Sequence, residues 1–364
     1  MGKTDAEYKV IDPQAKGLEA VERAFLNQVA YCQKNAAPNT ALICHALFEL
    51  LDGERGGAVM KAVREWKEAP LADALPLRVA GGLHALHLAG KEAALAPIYA
   101  GSDPEDASDR VAHALETHED ELLPWLDGPP QTNEAGRSWG FAAAMLWLAA
   151  RGLPARFVMH ELGSSAGINL MMKHFAFDLA GVEVGPADSP IALKPEWRGD
   201  PPPQGSIEIA SIRGCDVAPV DLRDPEQALR LKAYVWPELA VRLERMDQAI
   251  RLAHAFPPDM ARMKAGEFVD VILDHPAQEG TTRVIFHSVV WQYIPSDEQR
   301  AITAAIESAG AAASEDAPLA WITLEANRDT HRHELRVRYW PGGDEEVCLA
   351  TAHPHGAWVN WYGG

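Results

Sequence analysis

Residues Arg156 to Met172, R-F-V-M-H-E-L-G-S-S-A-G-I-N-L-M-M, decide how the chain is read. Phe157 to Met159 form a short apolar run that predicts a strand ending in Glu161. Gly163, Ser164, Ser165 and Gly167 make a small-residue turn, and a helix is predicted to open at Ile168. A strand-to-helix turn of this kind lets the backbone approach a ligand closely and points unpaired N-terminal amides at it. A dinucleotide fingerprint requires glycines at the first, third and sixth positions. Counted from Gly163, the third position is Ser165 and the sixth is Ile168, which disfavours a hydride-carrying dinucleotide.

At 364 residues the chain has room for two domains, or one large domain with an extension. With 47% hydrophobic and 23% charged residues it is a globular chain, not a disordered one. A formal charge of -19 repels phosphate backbones, so nucleic acid is not an expected partner. No run of eighteen apolar residues predicts a membrane span. The opening M-G-K-T-D-A-E-Y-K-V lacks an apolar signal core, so the cytoplasm is the expected location. Cys32, Cys44, Cys215 and Cys348 lack C-x-x-C spacing and read as reduced thiols.

Outward from the central stretch, residues 17 to about 155 read as helices with apolar residues three and four apart, as in Leu18, Val21, Phe25 and Val29. Breaks fall at Pro38-Asn39, Asp52-Gly53, Pro70, Gly90 and Gly101-Ser102-Asp103-Pro104. Q-T-N-E-A-G-R-S (131 to 138) then precedes a helix from Trp139 to Ala150. Thr132 or Asn133 caps that helix, with Glu134 complementing its dipole, or Gln131, Asn133, Glu134 and Arg137 face a ligand.

Downstream, Phe175 to Gly185 predicts a hairpin and Ile207 to Ile212 a strand running into R-G-C-D-V-A-P-V-D-L. Asp224 to Ala255 reads as helical, and Phe268 to Leu273 as strand or helix. Val284 to Phe286 predicts a buried strand, followed by a helix with Ser296 as cap. Between them stand His287, Ser288, Trp291, Gln292 and Tyr293, at the strand end where open α/β sheets bind ligands. Leu319 to Leu324 is a further strand, and Glu334 to Trp340 with Glu346 to Ala352 a final hairpin. Strands alternating with helices predict a doubly wound α/β sheet, mostly parallel, with an antiparallel C-terminal hairpin. The expected domains are an all-α region over residues 1–150, packing over the site, and a sheet domain over 151–364 with a hairpin insertion near 175–203.

The pattern acidic-x-Gly-x-x-x-Gly (Glu161, Gly163, Gly167) resembles the first motif of class I S-adenosylmethionine-dependent methyltransferases, with Ser165 where a third glycine often stands. Longer segments, among them Q-T-N-E-A-G-R, E-L-G-S-S-A-G-I-N-L, A-Y-V-W-P-E, F-H-S-V-V-W-Q-Y and A-T-A-H-P-H-G, resemble a bacterial family of unknown function. That family is described as having a methyltransferase-like Rossmann domain behind a helical N-terminal part, and the likeness covers nearly the whole chain. The resemblance implies S-adenosylmethionine as cofactor, with S-adenosylhomocysteine as product. It implies that Glu161, Gly163, Ser164, Ser165, Gly167 and Asn169 hold the methionine half, and that an acid ending the second strand takes the ribose. Asp216 is preferred for that role over Asp178, which lies in the predicted hairpin.

Methyl transfer requires alignment and, for a protonated acceptor, a base. His287, with an ordinary pKa near 6.5, and Glu134 are the candidates, and Gln131, Asn133, Arg137, Trp291, Gln292 and Tyr293 are expected to bind a small or medium-sized acceptor. The alternative for His287 is a strand-end histidine bonded to backbone. The pairs His331/His333 and His353/His355 raise a metal reading, but Pro354 and Gly356 indicate a turn, so no metal is expected. A non-catalytic binding or regulatory module on the same fold is the competing reading, supported by Ser165 and by the lack of an Asn/Asp-Pro-Pro-Tyr motif.

Overall fold

The computed structural model describes residues 12–102 and 105–363; the reading of the first ten residues and the Asp103-Pro104 part of one predicted break lie outside the described residues. The chain divides into two compact units, Met1–Thr132 with Asp224–Glu244, and Asn133–Arg223 with Arg245–Gly364. The division falls at Asn133, ahead of the expected boundary at 150, and the first unit recruits a segment from the middle of the chain. Among the described residues no helix is long and apolar enough to cross a membrane.

The first unit is helical. It contains α1 (Leu18–Lys34), α2 (Pro38–Glu49), α3 (Gly57–Arg64), α4 (Leu75–Leu88), α5 (Ala96–Tyr99), α6 (Ala107–Thr117) and α7 (Glu119–Leu122). After α8 (Ser138–Ala149), which belongs to the second unit, α9 (Pro225–Ala233) and the start of α10 (Ala240–Ala255) complete it. The helical stripes read from spacing are its core: Val21, Phe25 and Val29 bury against Ile43, Leu47, Leu83 and Leu115, and Ala233 joins them. Two polar ties hold the recruited segment. The Thr40 amide and hydroxyl donate to the Glu238 carboxylate at 2.8 and 2.9 Å, and His84 Nδ1 donates to the Ala233 carbonyl at 2.9 Å.

The second unit is built on β1 (Arg156–Leu162), β2 (Ala176–Leu179), β3 (Val182–Val184), β4 (Ala192–Leu193), β5 (Glu196–Arg198), β6 (Glu208–Asp216) and β7 (Met260–Arg262). There follow α11 (Ala265–Asp274), β8 (Thr282–Ser288), α12 (Ser296–Ala311), β9 (Leu319–Asn327), β10 (Arg332–Trp340), β11 (Gly343–Ala352) and β12 (Trp358–Trp361). The main sheet has the order β5-β12-β11-β10-β9-β8-β1-β6-β7. Strands β7, β6, β1, β8 and β9 are parallel. Numbered by their order along the chain, these run 3-2-1-4-5, so the winding reverses between β1 and β8. The final hairpin, β10 with β11, is antiparallel as expected.

Helices cover both faces. On one, Phe141 of α8 meets Phe286 of β8 edge to face, ring centroids 4.6 Å apart. On the other, Phe268, Val269 and Ile272 of α11 and Ile302 and Ile306 of α12 bury against Leu162, Ile285 and Leu319. Residues 268–273 are therefore helix, because their buried side chains recur at helical spacing while Asp270 is exposed. The predicted hairpin at 175–185 is present, but β2 pairs with both β3 and β4 in a separate sheet. The helix expected at Ile168 is a 3-10 turn, Asn169–His174. Leu170, Met171 and Met172 are all buried there, a pattern that cannot form one stripe of a long surface helix. Ser296 is the first residue of α12, and Pro295 holds the cap position.

Candidate functional site

The carboxyl ends of β1, β6, β8 and β9 lie along one edge of the main sheet, and most of the polar residues singled out in the sequence gather there. Alternation along β1 turns Phe157, Met159 and Glu161 to the α8 face and His160 and Leu162 to the other. Glu161 is 1% exposed. Its Oε1 accepts from Asn169 Nδ2 at 2.6 Å, and Asn169 Oδ1 accepts from the Ser138 hydroxyl at 2.8 Å. Its Oε2 is buried and has no hydrogen-bond partner among the described residues. Burial raises the Glu161 carboxyl to about 7, against the opposing pull of the Asn169 and Ser164 hydrogen bonds and the Arg137 charge.

The turn after β1 is held by the chain's own groups. The Ser164 amide donates to the Cys215 carbonyl at 2.8 Å and the Ser165 amide to Asp216 Oδ2 at 2.8 Å. The Ile168 amide donates to Asn133 Oδ1 at 2.8 Å. Gly163 and Gly167 have positive φ, 68° and 70°. An added Cβ would meet Val290 Cγ2 at 2.2 Å from Gly163, and Pro258 Cβ at 2.6 Å from Gly167. Both glycines therefore serve close packing within the protein. Ser165 also has positive φ, 53°, and its buried hydroxyl has no partner among the described residues.

Asp216 ends β6 beside this turn, its Oδ1 accepting from the Ala218 amide at 2.9 Å. Asp178 is on β2 in the small sheet, where it pairs with Lys194 and caps the Gly181 amide. Of the two acids, Asp216 alone touches the turn.

The 131–137 cluster has separate duties. Glu134 is 5% exposed and accepts from the Gly136 amide and from Arg245, both at 3.0 Å. Arg137 is 4% exposed and donates through Nε to the Pro354 carbonyl at 2.8 Å. Asn133 braces the turn as described, whereas Gln131 belongs to the first unit and is half-buried.

His287 does not share a face with this group. Parallel register sets Phe286 beside Glu161, so His287, one residue on, points to the α11 and α12 layer. There its Nδ1 donates to Glu325 Oε1 at 2.7 Å, and its ring stacks on Trp291 at 4.8 Å. Glu325 also accepts from the Val290 and Trp291 amides, at 3.1 and 3.3 Å. His287 Nε2 is buried and without a partner among the described residues. His287 thus faces the layer opposite Glu161, whereas Glu134 and Arg137 engage Arg245 and the Pro354 carbonyl. Trp291 is half-buried, and Gln292 and Tyr293 are exposed. Glu325 was missed; a lone carboxylate closing the apolar run L-A-W-I-T-L-E was the available signal. No group of three or more His, Cys, Asp or Glu side chains suited to a metal ion occurs among the described residues.

A doubly wound sheet with two acids at the carboxyl ends of adjacent strands, joined to a helical unit, defines the class of protein. Residues 22–361 match the family described as "Uncharacterized protein conserved in bacteria (DUF2332)", and the chain belongs to that family. No curated protein and no solved structure matches the chain.

Proposed function

We propose that the second unit is a class I methyltransferase-like domain that binds S-adenosylmethionine along the carboxyl ends of β1 and β6 and serves transfer to a small or medium-sized acceptor. One observation carries this reading. In a sheet whose parallel strands run 3-2-1-4-5, the first strand carries Glu161 as its penultimate residue and the second, hydrogen-bonded to it, ends on Asp216. Ligands of open α/β sheets lie outside the carboxyl ends of the strands, and β1, one of the two strands that flank the reversal of winding, carries Glu161.

The residues fit such a ligand through their carboxylates. Glu161 Oε2 and the Ser165 hydroxyl are buried polar atoms lacking partners among the described residues, and a buried group of this kind calls for one. Glu161 would take the ligand's ammonium, and Asp216 the ribose hydroxyls. When bound, S-adenosylmethionine supplies an activated methyl group, leaving S-adenosylhomocysteine. The turn amides contribute little, because Cys215, Asp216 and Asn133 already engage them. Asn133 and Asn169 position the turn and Glu161. Glu134 is bound by Arg245, and His287 faces the other layer, so alignment rather than a base from either residue is the chain's contribution. The charge of -19 favours a small acceptor over nucleic acid.

A second reading, a non-catalytic binding module on the same fold, is favoured by one observation. Val290, Pro258 and Met260 occupy the space beside Gly163 and Gly167. Calorimetric titration of S-adenosylhomocysteine into wild type and Asp216→Asn separates the outcomes. Saturable binding weakened at least tenfold by the variant supports the ligand, and methyl transfer from labelled S-adenosylmethionine to a small-molecule pool supports catalysis. Binding without transfer selects the second reading, and no binding overturns both.

A further inference from the structure

The opposite face of the same sheet carries a cationic cavity. It has a volume of about 230 Å³ and lies beneath α11 and the segment leading from α11 into β8. Parallel register builds its floor: Ser211, Val158 and Arg283 form one row across β6, β1 and β8, and Arg213 and His160 form part of the next. Arg283 is the second residue of β8 and His275 lies in the segment preceding that strand. The cavity therefore extends from the middle of β1 and β6 to the amino end of β8. His160 and Glu161, though adjacent, face opposite layers.

The lining is unusual for this chain. Acidic residues outnumber Lys and Arg 52 to 33, yet Arg213, Arg283, His160 and His275 all line the cavity and no carboxylate does among the described residues. Arg213 makes a long, solvent-exposed ion pair with Asp259, 3.9 Å from its Nε and beyond hydrogen-bond reach. Two buried polar atoms lack hydrogen-bond partners among the described residues: His160 Nδ1, on a side chain 9% exposed, and Arg213 Nε. Arg213 is steadied over the Phe268 ring at 5.7 Å, and Arg283 donates one NH2 hydrogen to the His275 carbonyl at 2.7 Å. Both guanidiniums are thus held in place. Burial, and after it the charges of Arg283 and Arg213, lowers the His160 pKa to about 4.

We infer that this cavity is a binding site for the oxyanion group, phosphate or carboxylate, of a small metabolite. A planar guanidinium pairs with two oxygens of such a group at once. The Ser211 hydroxyl and His160 imidazole add shorter-reach donors. Val158, Val271 and Ile272 give the remainder of the ligand an apolar wall. The volume lies below the roughly 300–1,000 Å³ of drug-sized pockets, which selects a molecule of few heavy atoms. The site stands on its own residues and is independent of any ligand at the carboxyl edge.

The test titrates inorganic phosphate and, separately, malonate into the full-length protein at constant ionic strength, with chloride as control, following heat and the imidazole nitrogen resonances of His160. Saturable binding of either anion that moves His160 and leaves His287 in place is the expected result, and the tighter of the two identifies the oxyanion. Arg213→Gln and Arg283→Gln should each weaken it at least tenfold. No saturation with either anion, a response matched by chloride, or equal affinity in both variants overturns the site. If the variants do not fold, the wild-type resonances decide: an unmoved His160 at saturating anion is equally fatal.

Discussion

Val290 packs on the Cα of Gly163 so closely that a methyl group there would stand 2.2 Å from its Cγ2. The contact closes the space between the carboxyl ends of β1 and β8, and Gly163 has φ 68°. Gly163→Ala therefore adds a left-handed penalty to an overpacking cost, on the order of 2–4 kcal/mol together. Urea denaturation of Gly163→Ala should show that loss, and Val290→Ala in the same chain should recover part of it. An unchanged midpoint in the single variant would mean the turn and Val290 are not in contact.

Glu161 makes stability fall with rising pH. Its folded value, about 7, lies above the ordinary 4.5, so between these pH values the folded chain keeps a proton that the unfolded chain has released. The favourable contribution is complete below 4.5 and is lost as pH rises to 7, a change of about 3 kcal/mol. Glu161→Gln keeps an acceptor for Asn169 and cannot ionise, so it should be more stable than wild type at pH 8 and near equal at pH 4.5. His84 and His160, each held down to about 4 by burial, act with the opposite sign between 4 and 6.5. The difference between variant and wild type thus isolates Glu161, and parallel pH profiles would refute the assignment.

The His287–Glu325 pair fixes a tautomer. A carboxylate only accepts, so Nδ1 carries the hydrogen and Nε2 is bare in the neutral ring. Nitrogen NMR of the neutral ring should show a protonated Nδ1 and an unprotonated Nε2. Glu325→Ala strands three donors, the His287 ring and the Val290 and Trp291 amides, and should cost on the order of 3 kcal/mol. The reverse tautomer would show that Glu325 is not the partner.

In the helical unit, Glu238→Ala removes both bonds from Thr40 and should cost about 1–3 kcal/mol. Hydrogen exchange should accelerate in residues 224–244 ahead of α1 and α2. Uniform acceleration would mean that Glu238 is not what ties the segment down.

Much of the sheet is legible because its strands are bounded by turn chemistry. The Gly163 to Gly167 turn and the Pro341-Gly342-Gly343 turn mark where β1 and β10 stop, and buried runs such as V-I-F mark β8. Strands β5, β7 and β12 escape, being three or four residues long and too short to show alternation. The polar cluster is legible as a cluster but not as a geometry. Whether His287 joins Glu161 depends on the residue that faces Glu161 across the β1–β8 ladder, and that register is set by tertiary packing, not by local pattern. The glycines of the turn look alike whether they admit a ligand or a neighbouring side chain; only the position of Val290 tells them apart. Likewise, α9 reads as one more helix after β6, and its membership of the first unit rests on Ala233 and Glu238 meeting partners near residues 40 and 84.

The parallel pairing of β5 with β12 joins Glu196–Arg198 to Trp358–Trp361, some 160 residues farther along (358 − 198). During synthesis at roughly 5–20 residues per second, β5 leaves the ribosome on the order of 10–30 s before β12, its ladder neighbour in the main sheet. The backbone groups of β5 that β12 pairs wait through that interval without their ladder partner, although Trp197 already has Trp139, made before it, to pack against.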